Sequence, residues 1–336
     1  MKKFASVVVV VLVLVGAGWF YLFHGYSAGK RWVWVQYKLG RASSASGVMV
    51  GKDGSLYTTG SQDDRDDYRG QANPGDKLDR LKATLTKRND IVKSMGGRFL
   101  DVIPPISETI YNDYLPAAYR KVGDHRRATM AIDFMKGTGV DMLYLAPALD
   151  ATKDRCRVFY RYETHWNWCG SYMGSQAVIA YLSQYYPAMK STLTRISDYK
   201  LLDGPPVMNM WNNGQNFGNH LGITLLEQDP RPIPISGWSA KMTSQSYGVY
   251  RGDVFTKDDN SLPSLVMFGD SFMSGVRWVM AENFRRSVFV NPWRLKPGPV
   301  LPSDFDDFPV EVLQAEKPDI VIYERWERAM LLSPEE

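Results

Sequence analysis

Two short motifs hold the residues in this sequence whose types could share a reaction. In the first, the apolar run Val266-Met267-Phe268 ends in Gly269-Asp270-Ser271. A serine at the carboxyl end of a parallel strand sits where α/β sheets build their sites, and its own N–H can help hold an oxyanion. The second is Tyr162-Glu163-Thr164-His165-Trp166-Asn167, which sets a carboxylate two residues before a histidine and just ahead of a helix that Asn167 could cap. A serine hydroxyl needs a base to become a nucleophile. Imidazole, with a pKa near 6.5, is the usual one, and a carboxylate on its other ring nitrogen fixes the tautomer. The bland alternatives are a Ser271 that caps the following helix and a His165 that is a satisfied structural histidine.

Other candidates flank these motifs. Arg277 stands six residues after Ser271, and Trp166 adjoins His165. Both are candidate substrate contacts, and an exposed surface arginine is the alternative for Arg277. Cys156 and Cys169 are the two cysteines of the chain. In an oxidising compartment they could close a short disulfide loop; two free thiols are the other reading, since sequence does not show whether the Cβ vectors meet. His24, His125, His165 and His220 lack metal-ligand spacing, so no metal site is indicated.

The elements that must position these residues alternate along the chain. Val48 to Thr58 reads as two short strands around the turn Lys52-Asp53-Gly54. The acidic run Asp63 to Asp67 reads as a solvated loop. Leu78, Leu81, Leu85 and Ile91 have helical spacing within 74–95, and Phe99 to Ile103 is a buried-strand candidate ending at Pro104-Pro105. Helices follow at about 128–135, 168–186, 275–284 and 310–313, with strands at 140–145, 264–268, 287–290 and 319–323. Apolar strands alternating with helices predict an α/β fold, a mainly parallel sheet with helices on both faces. Between about 187 and 260 the pattern weakens into a loop-rich insertion carrying Trp211-Asn212-Asn213, Gln215-Asn216-Phe217, Asn219-His220, Trp238, Tyr247 and Tyr250. Aromatics beside amides suit sugar binding, while a surface insertion packed by its own aromatics is the alternative.

Composition sets the compartment. The chain has 336 residues, 44% hydrophobic and 23% charged, which excludes a disordered tail or a disulfide miniprotein. Its net charge of +4 includes Lys2 and Lys3, leaving no surplus that suggests nucleic acid as a partner. From Phe4 to Phe23 there are 20 residues without a charge. That is enough helix to cross a bilayer, with a cleaved signal peptide as the competing reading. The basic pair would stay in the cytoplasm and the rest of the chain would lie outside it. The expected organisation is an N-terminal signal anchor over 1–26, a juxtamembrane spacer over 27–46 and one domain over 47–336.

Together these segments resemble the alginate O-acetyltransferase family, whose SGNH-hydrolase-like domains acetylate exopolysaccharides in the periplasm. The resemblance rests on Val48 to Gly54 as the entry hairpin, Ile103-Pro104-Pro105 through Thr109 to Pro116, Thr164-His165-Trp166-Asn167 with Gly170, Gly269-Asp270-Ser271-Phe272, and Lys317-Pro318-Asp319 through Glu327-Arg328. It implies Ser271 as nucleophile, His165 as general base and acid, and Glu163 as the orienting carboxylate. The family usually has aspartate at the last position, a tryptophan where Ser55 stands and a lysine where Ser107 stands. The implied activity is transfer of an acetyl group through an acyl-serine to a polysaccharide acceptor, without a cofactor. A membrane-bound acyltransferase partner would supply the acetyl, because acetyl-CoA is not expected outside the cytoplasm. The implied location is the inner membrane through the N-terminal helix, with the catalytic domain in the periplasm. Two other functions use the same residues: an acetylesterase that passes the acyl group to water, and a catalytically idle polymer-binding component.

Overall fold

The computed structural model describes residues 47–192, 195–202, 227–228, 230–292 and 308–330, together with Tyr37 and Leu39. The apolar run over 4–23 and most of the expected spacer lie outside these residues. Among the described residues no helix is long and apolar enough to cross a membrane.

A hairpin of β1 (Val48–Val50) and β2 (Leu56–Thr58) opens the fold, and α1 (Gln62–Tyr68) and α2 (Lys77–Ser94) follow it. Next come β3 (Arg98–Ile103), the short α3 (Ser107–Ile110), α4 (Arg127–Met135), β4 (Asp141–Tyr144), α5 (Ala146–Asp150) and α6 (Trp168–Leu182). β5 (Tyr199–Leu202) and β6 (Arg231–Pro234) form a separate two-stranded sheet. β7 (Lys241–Tyr247), β8 (Tyr250–Thr256), β9 (Ser264–Phe268), α7 (Met273–Ala281), β10 (Arg286–Val290), α8 (Val310–Glu316) and β11 (Ile320–Glu324) complete it.

The central sheet has the order β4-β3-β11-β9-β10-β8-β7. The five strands from β4 to β10 run parallel, and β8 and β7 add an antiparallel hairpin at one edge, so the sheet is mixed. Alternate residues of each central strand face opposite sides, as the period of two requires. Leu100, Val102, Leu265, Met267, Ile320 and Ile322 pack against Val178, Ile179 and Leu182 of α6 and Met273, Val276 and Met280 of α7. Their neighbours Phe99, Val266, Phe268, Val321 and Tyr323 pack against Leu81, Leu85 and Val92 of α2, Ala128 and Ala131 of α4, and Leu313 of α8. Both faces are therefore covered, which is why these strands read as continuous apolar runs.

Two expectations are corrected. The acidic run is a helix, not a solvated loop. Ser61 and Asp64 form a capping box, and Asp64 and Asp67 turn inward to Arg127 and Arg328, which are themselves largely buried. A run of like charges reads as solvated only when its counter-charges, here 60 and 264 residues away, are out of view. The expected insertion over 187–260 also differs, because β7 and β8 belong to the main sheet. Tyr247 and Tyr250 are core residues, and Trp238 packs on Tyr199 and Trp278 at ring distances of 6.2 and 5.3 Å. The amide-rich stretch Trp211 to His220 lies outside the described residues.

Candidate active site

The turn that carries Ser271 is built on Asp270. β9 ends at Phe268, between β11 and β10, and the Gly269 N–H donates to the Val290 carbonyl at 3.2 Å. Asp270 is buried and accepts the Phe272 N–H on Oδ1 at 2.8 Å and the Trp326 N–H on Oδ2 at 2.9 Å. These bonds bend the chain sharply between β9 and α7. They leave Ser271 at the apex, with its N–H unpartnered among the described residues. The N-cap of α7 is Phe272 and no side chain caps it, so the helix-capping alternative for Ser271 does not hold.

The histidine comes from a second turn. Phe159 and Trp166 pair across it, the Tyr160 N–H donates to the His165 carbonyl at 3.2 Å and the Asn167 N–H to the Val158 carbonyl at 3.1 Å. Asn167 then caps α6, accepting the Gly170 N–H at 3.1 Å, as its position in the sequence suggested. Gly170 has to be glycine, since a Cβ there would stand 2.1 Å from the Val158 carbonyl oxygen. A disulfide between Cys156 and Cys169, with Cα atoms 6.5 Å apart, ties the start of this turn to the first residues of α6.

Ser271 and His165, 106 residues apart, meet where these turns converge. His165 Nε2 lies 2.6 Å from Ser271 Oγ, and Nδ1 lies 2.6 Å from Glu163 Oε1. Glu163 Oε2 also accepts the main-chain N–H of His165 at 2.8 Å, and Thr164 Oγ1 donates to Oε1 at 3.1 Å. Glutamate's extra methylene is thus taken up by curling the side chain back onto its own turn. Because Nδ1 faces a carboxylate it carries the proton, which leaves Nε2 to accept from the serine. Burial alone would hold the ring neutral. The charge of Glu163, its hydrogen bond and the more distant charge of Asp270 outweigh burial and raise the pKa of His165 above 6.5. For Glu163 burial works upward, and the imidazole beside it with the hydrogen bonds it accepts prevails, holding the carboxyl below its usual range.

Trp166 supports the turn rather than lining an open cleft. It is 5% exposed, its Nε1–H donates to the Phe272 carbonyl at 3.1 Å, and its ring lies 5.3 Å from that of Phe272. It thereby joins the His165 turn to the Ser271 turn. Arg277 is half-buried and its guanidinium is committed to Asp253 of β8. Sequence reasoning missed three contributors. The hairpin turn grips the histidine turn: Leu56 N–H donates to the Arg161 carbonyl at 2.7 Å, and Arg157 bonds Asp53 at 3.0 Å and the buried Ser55 Oγ at 2.7 Å. Ser55, at the family's tryptophan position, is small enough to accept that guanidinium. Glu227 accepts the Arg161 N–H at 2.5 Å. Glu324, at the end of β11, accepts the Asp270 N–H at 3.1 Å. A charged residue closing an otherwise apolar strand was the available signal for Glu324; none was available for Glu227.

The fold is shared with solved structures. Bacillus cereus PatB1 with a sulfonyl adduct superposes with a TM-score of 0.63 at 12% identity, over 85% of this chain and 97% of that one. The O-acetyltransferase domain of Pseudomonas putida AlgJ gives 0.52 at 18% identity, over 85% of this chain and 93% of that one. In sequence, the probable alginate O-acetylase AlgJ of Pseudomonas syringae pv. tomato (strain ATCC BAA-871 / DC3000) is 27% identical over 150 residues. That match spans 42% of this chain and about a third, 34%, of the relative's length. The family model described as SGNH hydrolase-like domain, acetyltransferase AlgX, matches residues 48–288, a span that includes Glu163, His165 and Ser271, and the chain belongs to that family.

Proposed function

We propose that the chain is a serine-dependent O-acetyltransferase that moves an acetyl group through an acyl-serine to hydroxyls of an exopolysaccharide. The observation that carries this reading is the unbroken series of short contacts from Glu163 through His165 to Ser271. As Ser271 Oγ attacks the acetyl carbonyl, Nε2 takes its proton and Glu163 stabilises the resulting imidazolium. The unpartnered Ser271 N–H supplies one donor to the oxyanion. His165 then protonates the leaving group, and in the second half-reaction takes the proton of the acceptor hydroxyl as it attacks the acyl-serine and returns it to Ser271 Oγ as the acyl–oxygen bond breaks. Extracytoplasmic placement by the N-terminal apolar run, and supply of acetyl by a membrane-bound acyltransferase partner, complete the proposal.

The test uses the full chain in detergent with an activated acetyl ester, with and without candidate oligosaccharides. Mass spectrometry is expected to find an acetyl adduct that Ser271→Ala abolishes, and acetylated oligosaccharide formed at the expense of free acetate. Acetate release indifferent to every sugar would make the protein an esterase, and the absence of any adduct would make it an idle binding component.

A further inference from the structure

Two buried carboxyls lie side by side beneath Ser271, and only one of them is accounted for by the turn it builds. Burial raises the pKa of Asp270, but it receives a main-chain N–H on each oxygen, from Trp326 and from Phe272, and these bonds oppose burial and favour its ionised form. Glu324 is 1% exposed, and its Oε2 accepts the N–H of Asp270. Its carboxyl faces the Asp270 side chain and the head of α7. Its Oε1 receives no donor from any described residue. Two carboxylates cannot hydrogen-bond each other without a proton, and an ionised oxygen buried with no donor is costly. A proton on Oε1 of Glu324, given to Asp270, resolves both conditions at once.

We propose that Glu324 is a positioning residue of the Ser271 turn, acting as a neutral carboxylic acid that donates to Asp270 and accepts the Asp270 N–H. The inference rests on the serine chemistry proposed above. The proton has a catalytic consequence. His165 on the neighbouring turn is a charged group that faces the pair. With Glu324 neutral, one negative charge lies under the turn, where it supports the imidazolium. A second would repel the first and oppose the oxyanion that forms beside the Ser271 N–H. Burial and the charge of Asp270 both press Glu324 toward its neutral form. The fit is close on the other side as well, since a Cβ at position 269 would stand 2.5 Å from Glu324 Oε2, which accounts for the glycine before Asp270.

Infrared difference spectroscopy of the full chain at neutral pH reads the proton directly. Native protein should show a protonated-carboxyl band that disappears in Glu324→Gln; a band that the substitution leaves unchanged overturns the assignment. Sulfonyl-fluoride labelling and aryl-acetate burst kinetics read the positioning. Glu324→Gln, which keeps a neutral donor and an acceptor, should acylate within about threefold of native, while Glu324→Ala should lose roughly 10²-fold, the cost of about 1 Å of misplacement at a reacting centre. Glu324→Gln failing as badly as Glu324→Ala, or Glu324→Ala at full rate, would refute it. Should Glu324→Ala not fold, the glutamine variant still decides. Should native Ser271 not acylate at all, the proposed function fails, while the infrared band still tests the proton.

Discussion

Replacing Glu163 by glutamine removes one charge and almost no volume from the site. The imidazolium formed in the transition state and the Glu163 carboxylate are in direct contact, Nδ1 to Oε1 2.6 Å. With charge centres about 4 Å apart and an effective dielectric near 20, their attraction is about 4 kcal/mol. At about 1.36 kcal/mol per factor of ten, the acylation rate should fall about 10³-fold. A flipped amide that donates to Nδ1 would select the wrong tautomer, and the comparable acid-to-amide change in serine proteases costs about 10⁴. The pH profile gives an independent sign. Acylation needs neutral His165, so the native rate rises as pH climbs through a pKa above 6.5. Without the carboxylate, burial is opposed chiefly by the weaker pull of Asp270, and this limb should move to lower pH. Stability follows the same logic. The raised His165 contributes below its unfolded pKa of about 6.5, and the lowered Glu163 contributes above its unfolded value of about 4.3, so the folding cost of Glu163→Gln should peak between them. Stopped-flow bursts with an aryl acetate from about pH 5 to 9 measure rate and limb together. A loss under tenfold, or a limb displaced to higher pH, would refute the triad assignment.

Two further outcomes follow from how the turns are joined. Trp166→Phe keeps the ring contact with Phe272 but removes one of the two donors to the Phe272 carbonyl, leaving the Gly275 N–H, so denaturant unfolding should show a loss of about 0.5–1.5 kcal/mol, with a lower acylation rate and little change in KM. Reducing the Cys156–Cys169 disulfide, or replacing both residues by serine, should cost about 3 kcal/mol for a loop of this length, and thermal unfolding with and without reductant measures it.

The readable parts of this protein were those whose signal is local. β9 and β3 are buried on both faces and so are written as continuous apolar runs; Asn167 announces the start of α6 because a cap acts within three residues. Glu163 and His165 could be paired in sequence because the structure pairs them within one turn. What escaped was decided by distant partners. Asp64 looked solvated because Arg127 and Arg328, which neutralise it, are far along the chain. β7 and β8 looked like loop because an edge hairpin exposes most of one strand, Lys241 to Ser246, and so loses the apolar alternation that marks a strand. Arg277 shows the reverse effect, a cation placed near Ser271 by spacing alone but paired with Asp253 of β8. Glu324 combines both effects. Its charge is visible at the end of β11, yet only the fold brings it beneath Asp270, 54 residues earlier, where the absence of a donor for Oε1 gives that charge its meaning.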